Sequence, residues 1–150
     1  MEYYLSLKDK FSVCINSPLT NYDQKLFIDF FQPLLSSAAS SLFQTLHAIV
    51  PLGTVESNDI EHKTILKTLK MINIDAFLNA RFELEALGLL DVYVYNDSFN
   101  DQNIYVYVVK KLPTAWEFFN DEVLSTFLLN TVGEEIFHHF LLYYICHLYF

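Results

Sequence analysis

The sequence has few glycines and no signature of a nucleotide-binding or catalytic site. It contains three glycines in 150 residues, and the patterns GxxxxGK, GxGxxG, GxSxG and HExxH are all absent. These patterns mark phosphate loops, dinucleotide sites, nucleophile elbows and zinc proteases. The sequence therefore predicts a protein that is not an enzyme and that needs no cofactor.

Cysteine is scarce as well. Cys14 and Cys146 lie far apart, no CxxC pair is present, and the chain does not begin like a signal peptide. This usage predicts two reduced thiols in a cytoplasmic protein, without a disulfide or a metal site.

Positive charge is in short supply. Nine Lys and Arg residues stand against 18 Asp and Glu residues, which gives a net charge of −9 at pH 7. A negative surface repels phosphate groups at long range, so nucleic-acid binding is disfavoured from the start.

Long hydrophobic runs are also missing. The longest apolar run, Phe140–Phe150, is interrupted by His147 and is shorter than the ~20 residues that cross a bilayer. We expect it to pack against protein. Because it reaches the last residue without a polar tail, we expect residues 1–150 to form one domain at the N-terminal end of a longer protein.

The stretch Phe77–Tyr95 predicts a helix that leads directly into a strand. Asp75 is a candidate N-cap, Gly88 suits a left-handed helix stop, and apolar alternation begins at Leu90. Helices are predicted before it over about 33–51 and 60–72, and a second strand after it at Ile104–Lys111. Three helices followed by a hairpin form a winged helix-turn-helix. The predicted fold is therefore mainly α with a small β-wing, in the α+β class.

Additional elements are predicted at both ends of this core, which covers about residues 33–112. Phe11–Ile15 is a candidate strand, and Thr20 caps a helix through Gln32 with Asp23 at the third helical position. Thr114 opens a capping box with Glu117, and the C-terminal helices cover 114–150 with a break at Gly133.

Three segments carry a family resemblance. They are FFQPLLSSAASSLFQTL (Phe30–Leu46), FLNARFELEALGLLDVYV (Phe77–Val94) and WEFFNDEVLSTFLLNTVG (Trp116–Gly133). In this order and spacing, the chain from about Phe11 to Phe140 resembles the N-terminal domain of the DnaB/DnaD-like replication initiation and membrane attachment protein of low-GC Gram-positive bacteria, a primosomal helicase co-loader. The family's C-terminal YxxxIxxxW signature is absent.

The resemblance implies a winged-helix module of a multi-domain protein that helps load the replicative helicase. It implies self-association, as a dimer or tetramer, and docking to other primosomal proteins such as a DnaD-like protein and the helicase or its loader. Single-stranded DNA binding would lie beyond Phe150. Peripheral membrane attachment would involve only the full-length protein.

Basic residues are few where a DNA-reading winged helix needs them. The last helix of such a fold enters the major groove, and phosphate contacts dominate its affinity. Its expected outward positions here are Asn79, Arg81, Glu83 and Glu85. The candidate nucleic-acid-binding residues are Lys63, Lys67, Lys70, Arg81, Lys110 and Lys111. We expect weak or no duplex DNA binding; the alternative function is a small transcription regulator that binds duplex DNA through these residues.

The hairpin is predicted to bury Leu90, Val92 and Val94 against Ile104, Val106 and Val108. Its other face would carry Tyr93, Tyr95, Tyr105 and Tyr107, as a cross-strand ladder, a subunit interface or a platform that stacks single-stranded bases. The C-terminal helices are apolar over more than one face, so they either complete the core or contact a partner chain. The candidate interface residues are Leu124, Phe127, Leu128, Phe137, Phe140, Leu141, Tyr144, Leu148, Tyr93 and Tyr105.

Histidine gives only weak signals. Glu135 and His139 have the i, i+4 spacing of a metal pair and could share a face with His147, but two or three loosely placed groups are typical of a solvated helix face. His47 and His62 fall at inward positions and are predicted to be core histidines.

Overall fold

The computed structural model describes residues 5–146 and has an α+β architecture, which confirms the predicted fold class. Contacts divide the chain into two compact units. The first contains the described residues up to Pro18 together with Ser37–Lys111. The second contains Leu19–Ser36 and the chain from Leu112 onward.

A four-stranded sheet organises the first unit. Strand β1 (Lys10–Ile15) lies parallel to β4 (Gln102–Val109), which pairs antiparallel with β3 (Leu90–Asp97). The short β2 (Ile60–Glu61) pairs with the other side of β1, so the order is β2-β1-β4-β3. The predicted N-terminal strand thus belongs to the same sheet as the hairpin, and β3 is an edge strand.

Three helices accompany this sheet: α2 (Ser37–Ile49), α3 (His62–Thr68) and α4 (Ile74–Ala86). They bury the apolar residues that the 3.6-residue period predicts, among them Leu42, Leu46, Ile65, Phe77 and Leu84.

Helix boundaries in the first unit differ from the predictions at three places. Helix α3 covers His62–Thr68 instead of about 60–72, because Ile60 and Glu61 pair with β1 as strand β2. Helix α2 begins at Ser37 instead of Pro33, because Pro33 sits in a 3₁₀ turn and Leu35 is extended with ψ of 153°. Helix α4 is capped by Asn73 instead of Asp75, since the Asn73 side chain accepts the Ala76 N–H at 2.9 Å. Gly88 ends α4 as predicted, with φ of 74°.

The hairpin buries the opposite face of β4 from the predicted one. Val92 lies opposite Tyr107, and Val94 lies opposite Tyr105. The inward residues of β4 are therefore Tyr105, Tyr107 and Val109, all buried, and the prediction of Ile104, Val106 and Val108 as core residues is wrong. Both faces of β4 are apolar, so alternation alone did not select one. The larger aromatic rings bury more surface.

The second unit consists of helices. Helix α1 (Asn21–Leu26) continues as π-helical residues Phe27–Phe31 and ends in a 3₁₀ turn, Gln32–Leu34. The predicted Thr20 capping box is present, since the Thr20 hydroxyl accepts the Asp23 N–H and the Asp23 carboxylate accepts the Thr20 N–H.

The C-terminal part of this unit contains α5 (Ala115–Asn120), α6 (Glu122–Val132) and α7 (Glu134–Leu141). The π-helical residues Leu142–Cys146 follow α7. The predicted helix through Val132 is interrupted at Asp121, whose side chain caps α6 by accepting the Leu124 N–H. The Thr114 capping box is confirmed.

Aromatic rings form the core of the second unit. The Phe30 ring lies 4.6 Å from that of Phe118, 5.2 Å from Phe119, 5.7 Å from Phe140 and 4.7 Å from Tyr144, measured between ring centroids. Phe30 is completely buried. Edge-to-face and offset ring pairs stabilise the core beyond the effect of the apolar area that they bury.

In residues 5–146, none of the helices has both the length and the apolar character needed to cross a membrane.

Candidate protein-interaction surfaces

Two groups of apolar side chains are exposed on the helices of the second unit. Trp116, Val123 and Phe127 form what we call the α5–α6 patch, with Trp116 58% and Val123 77% exposed. The spacing of four residues places Val123 and Phe127 on one face of α6. Large exposed apolar side chains of this kind are candidates for contact with another protein.

A second group, which we call the α7 patch, contains Ile136, Leu142 and Tyr143, all exposed. Glu135, Ile136, His138, His139 and Leu142 line a shallow and largely apolar depression on this helix. An apolar depression open to solvent is suited to receive a side chain of another protein.

Three predicted interface residues are buried instead. Leu128 and Tyr144 belong to the core of the second unit, and Tyr105 belongs to the core of the first. Tyr144 is held inside because its hydroxyl donates a hydrogen bond to Asp29 Oδ2 at 2.6 Å, and burial, strengthened by this carboxylate, raises its pKa. These residues are unavailable for contacts with another chain.

The other predicted interface residues divide by exposure. Phe127 and Tyr93 are exposed, whereas the partly buried ones are Leu124, Phe137, Phe140 and Leu141. Phe137 turns toward Phe119, with 5.5 Å between ring centroids. Leu148 lies outside the described residues.

Sequence reasoning missed Trp116, Ile136 and Leu142 as exposed groups. Ile136 and Tyr143 stand seven residues apart, so an apolar stripe at helical spacing was present as a signal. It was hidden because neighbouring positions on the same helices are also apolar.

The exposed face of α4 is acidic and apolar. It carries Asp75, Asn79, Phe82 and Ala86, whereas Arg81, Glu83 and Glu85, which were predicted to face outward, are each partly buried. The Arg81 side chain is only 13% exposed, its Nε lies 3.4 Å from Glu85 Oε2, and its guanidinium lies 5.2 Å from the Phe82 ring. The helix that reads DNA in related folds therefore offers no free cation here.

The predicted basic residues are distributed over separate places. Lys63 and Lys67 are exposed on one face of α3, and Lys70 follows in a left-handed conformation with φ of 53°. Lys110 Nζ lies 3.6 Å from Asp91 Oδ2, and Lys111 is exposed. The two neighbouring lysines on α3, Lys63 and Lys67, can bind phosphate groups only weakly on a chain of net charge −9.

We expect duplex DNA to bind this chain with a dissociation constant above about 1 μM at physiological salt, in the range of non-specific binding. Fluorescence anisotropy with a labelled duplex measures this dissociation constant. The variant Lys63→Glu/Lys67→Glu should give the same binding curve as the wild-type chain. Submicromolar affinity that this variant abolishes would contradict the prediction and favour a DNA-binding regulator.

A buried polar cluster surrounds His62 in the first unit. The carbonyl oxygen of Asp9 can only accept, so His62 Nδ1, at 2.7 Å, carries the hydrogen. In the neutral ring Nε2 then accepts, and the Tyr107 hydroxyl donates to it at 2.5 Å. Burial lowers the pKa of His62 to about 4, while the hydrogen bond to Asp9 acts in the opposite direction. His62 is thus a neutral, structural core histidine.

Metal-binding and thiol groups form no site in the part of the chain that the structure describes. No group of three His, Cys, Asp or Glu residues there is placed to hold a metal ion. Glu135 and His139 are exposed on α7, and His147 lies outside the described residues. Cys14 and Cys146 are free thiols, and burial together with the negative charge of Glu56 raises the pKa of Cys14.

Comparison with known proteins gives three consistent matches. Residues 5–144 match the family described as the DnaB N-terminal winged helix domain. The replicative helicase loading/DNA remodeling protein DnaB of Staphylococcus aureus is 31% identical over 137 residues, which cover 91% of this chain and 29% of that protein. The crystal structure of primosome protein DnaB, residues 1–300, from Geobacillus stearothermophilus has a TM-score of 0.82 at 26% identity.

The structural match covers 91% of this chain and 50% of the Geobacillus chain. This chain therefore spans half of that fragment and less than a third of the S. aureus relative. The resemblance predicted from three sequence segments and the predicted winged-helix fold are both confirmed. Because the family match extends over nearly its whole length, the chain belongs to the DnaB N-terminal winged helix domain family.

Proposed function

We propose that this chain is a non-catalytic assembly module in DNA replication initiation. It self-associates and docks other primosomal proteins during helicase loading. The relatives are described as a helicase-loading protein and a primosome protein, which supports the process. The molecular role is supported by one structural observation above the others, namely the α5–α6 patch.

The side chains of the α5–α6 patch are apolar, and the two helices that carry them have capped N-termini. Trp116, Val123 and Phe127 are exposed on helices that both have capped N-termini, at Thr114 and Asp121. Aromatic residues carry much of the binding energy at protein interfaces when a partner covers them. Such side chains favour a protein partner over a phosphate backbone.

The charge distribution supports the same function. The exposed face of α4 holds Asp75 and no free basic residue, and the hairpin loop holds Asp101. Phosphate contacts on these elements would be repulsive. A protein surface with apolar contacts, or with basic residues of its own, is compatible with both elements.

Sedimentation velocity of the 150-residue chain at about 100 μM tests the proposal. Association is expected in the wild-type chain. The variant Val123→Glu/Phe127→Glu should raise the dissociation constant about tenfold or more, because two carboxylates would be desolvated in the contact. Both residues are exposed, so the fold should be retained, as circular dichroism can verify.

The matched control is Thr64→Glu/Asn79→Glu, which adds the same charge at exposed helical positions of the first unit. It should associate like the wild-type chain. A wild-type chain that remains strictly monomeric at this concentration would overturn self-association.

A further inference from the structure

Strand β3 is the last strand of the sheet, and in residues 5–146 no strand pairs with its outer edge. Lys110 N–H donates to the Leu89 carbonyl at 3.0 Å, so residues 89 and 110 form a hydrogen-bonded pair. Bonded and non-bonded pairs alternate in an antiparallel ladder, and the β3–β4 register is unbroken from Leu90 to Asp97. The odd-numbered residues of β3 therefore bond to β4, and the even-numbered residues direct their N–H and C=O groups to the open edge.

This edge has few of the devices that usually prevent strand addition. Natural edge strands are protected by proline, by charged side chains, especially lysine, or by a bulge. Strand β3, LDVYVYND, contains neither proline nor lysine, its pairing with β4 skips no residue, and its two charged residues, Asp91 and Asp97, lie near its ends. Five successive residues, from Val92 to Asn96, carry no charge. On a chain of net charge −9 this is an uncharged strip along which another strand could lie.

The strip is self-complementary in one antiparallel register. With a two-fold axis at Tyr93, the four edge-directed residues all find partners: Val92 pairs with Val94 of the second copy, and Leu90 pairs with Asn96. Tyr93 then faces the same tyrosine of the other copy in a close, non-hydrogen-bonded pair, where side chains interact most strongly. Asp91 faces the Tyr95 hydroxyl of the other copy.

The neighbouring registers are worse. A shift of the axis to Val94 places Asp91 of each copy opposite Asp97 of the other, so two such pairs form. Like charges that face each other directly are destabilising. A shift to Val92 pairs Asn96 with Gly88, outside the strand. Only the register centred at Tyr93 uses every edge-directed residue without opposing like charges.

We propose that two copies of this chain associate through their β3 edges, antiparallel and with the two-fold axis at Tyr93, and so form one continuous sheet of eight strands, four from each copy. This inference rests on the proposed self-association and adds a second, isologous interface to it. The β3 interface is separate from the α5–α6 patch, so a charge variant at either contact weakens association by removing that contact alone. Tyr93, 59% exposed, stacks against its own copy, which explains an aromatic residue on the outer face of the hairpin.

Charge variants at the two-fold axis provide the test. Tyr93→Lys and Tyr93→Asp each place two like charges face to face, so each should associate about tenfold or more weakly than the wild-type chain. An equimolar mixture of the two variants should regain association, because lysine then faces aspartate. Sedimentation velocity of the 150-residue chain, at the concentration where the wild-type chain associates, measures all three.

The matched controls are Phe99→Lys and Phe99→Asp, which alter an exposed aromatic residue in the hairpin loop away from the paired strip. They should associate like the wild-type chain. If both Tyr93 variants keep wild-type association, or if their mixture shows no recovery, the β3 interface is overturned while self-association stands. A monomeric wild-type chain would overturn both.

Discussion

Replacement of Phe30 by alanine is expected to lower the free energy of unfolding by about 3–5 kcal/mol, the usual cost of removing a buried phenyl ring. Phe30 is fully buried and lies within ring-contact distance of Phe118, Phe119, Phe140 and Tyr144. Its removal leaves a cavity between these four rings. Because the rings also pack against one another, the surrounding chain can move only a little to fill the cavity.

Urea denaturation followed by circular dichroism measures this loss. Ile28→Ala, two residues earlier on the same π-helical stretch, is the matched control, because Ile28 is about half exposed. It should cost less than about 1 kcal/mol. If Phe30→Ala and Ile28→Ala destabilise the protein equally, the ring cluster does not stabilise this unit as described.

Acidification from pH 7 to pH 4 is expected to remove about 3 kcal/mol of stability through His62 alone, at 1.36 kcal/mol per pKa unit. Burial holds its pKa at about 4 in the folded protein, below the ordinary value of 6.5. Between pH 6.5 and 4 the His62 ring therefore binds a proton in the unfolded chain but not in the folded chain. The contribution is fully present above pH 6.5 and is lost progressively as the pH falls toward 4.

Burial is the main reason why protonation is costly, because it keeps the charged ring from water. The neighbouring groups would also have to rearrange. A charged ring would carry hydrogens on both nitrogens, so Nε2 could no longer accept from the Tyr107 hydroxyl. The Asp9 carbonyl would keep its bond. The positive charge would also lie in the field of Arg81, which lowers the pKa of His62 further.

The variant His62→Gln isolates this effect from carboxylate titration. It retains a hydrogen-bonding side chain that does not titrate, so its stability should depend less on pH between 7 and 4. Unfolding free energies of both proteins at several pH values, together with the NMR titration of the His62 ring, measure the difference. A His62 ring that titrates near pH 6.5 in the folded protein would contradict the prediction.

Local sequence was sufficient for the elements whose determinants are neighbours in the chain. Gly88 stops α4 because its positive φ needs no neighbour other than the helix itself. The capping boxes at Thr20 and Thr114 join residues three positions apart. The order of helices and hairpin, and with it the winged-helix fold, followed from these signals and from the period of the apolar residues.

Tertiary structure decided every choice between two apolar faces. Strand β4 has apolar side chains on both sides, and its pairing with β1 and β3 selected Tyr105 and Tyr107 for the core. Helix α6 likewise has apolar residues on more than one face, and its packing buried Leu128 while leaving Val123 exposed. The Arg81 side chain is largely buried because it packs against the core and pairs with Glu85.

The common reason is that periodicity identifies an amphipathic element only when one of its faces is polar. In a chain with 53% apolar residues this contrast disappears in β4 and is weak in α6. The burial of each residue there depends on partners that are distant in sequence. Sequence therefore determined which elements form, and long-range packing determined which of their side chains are left for contacts with other proteins.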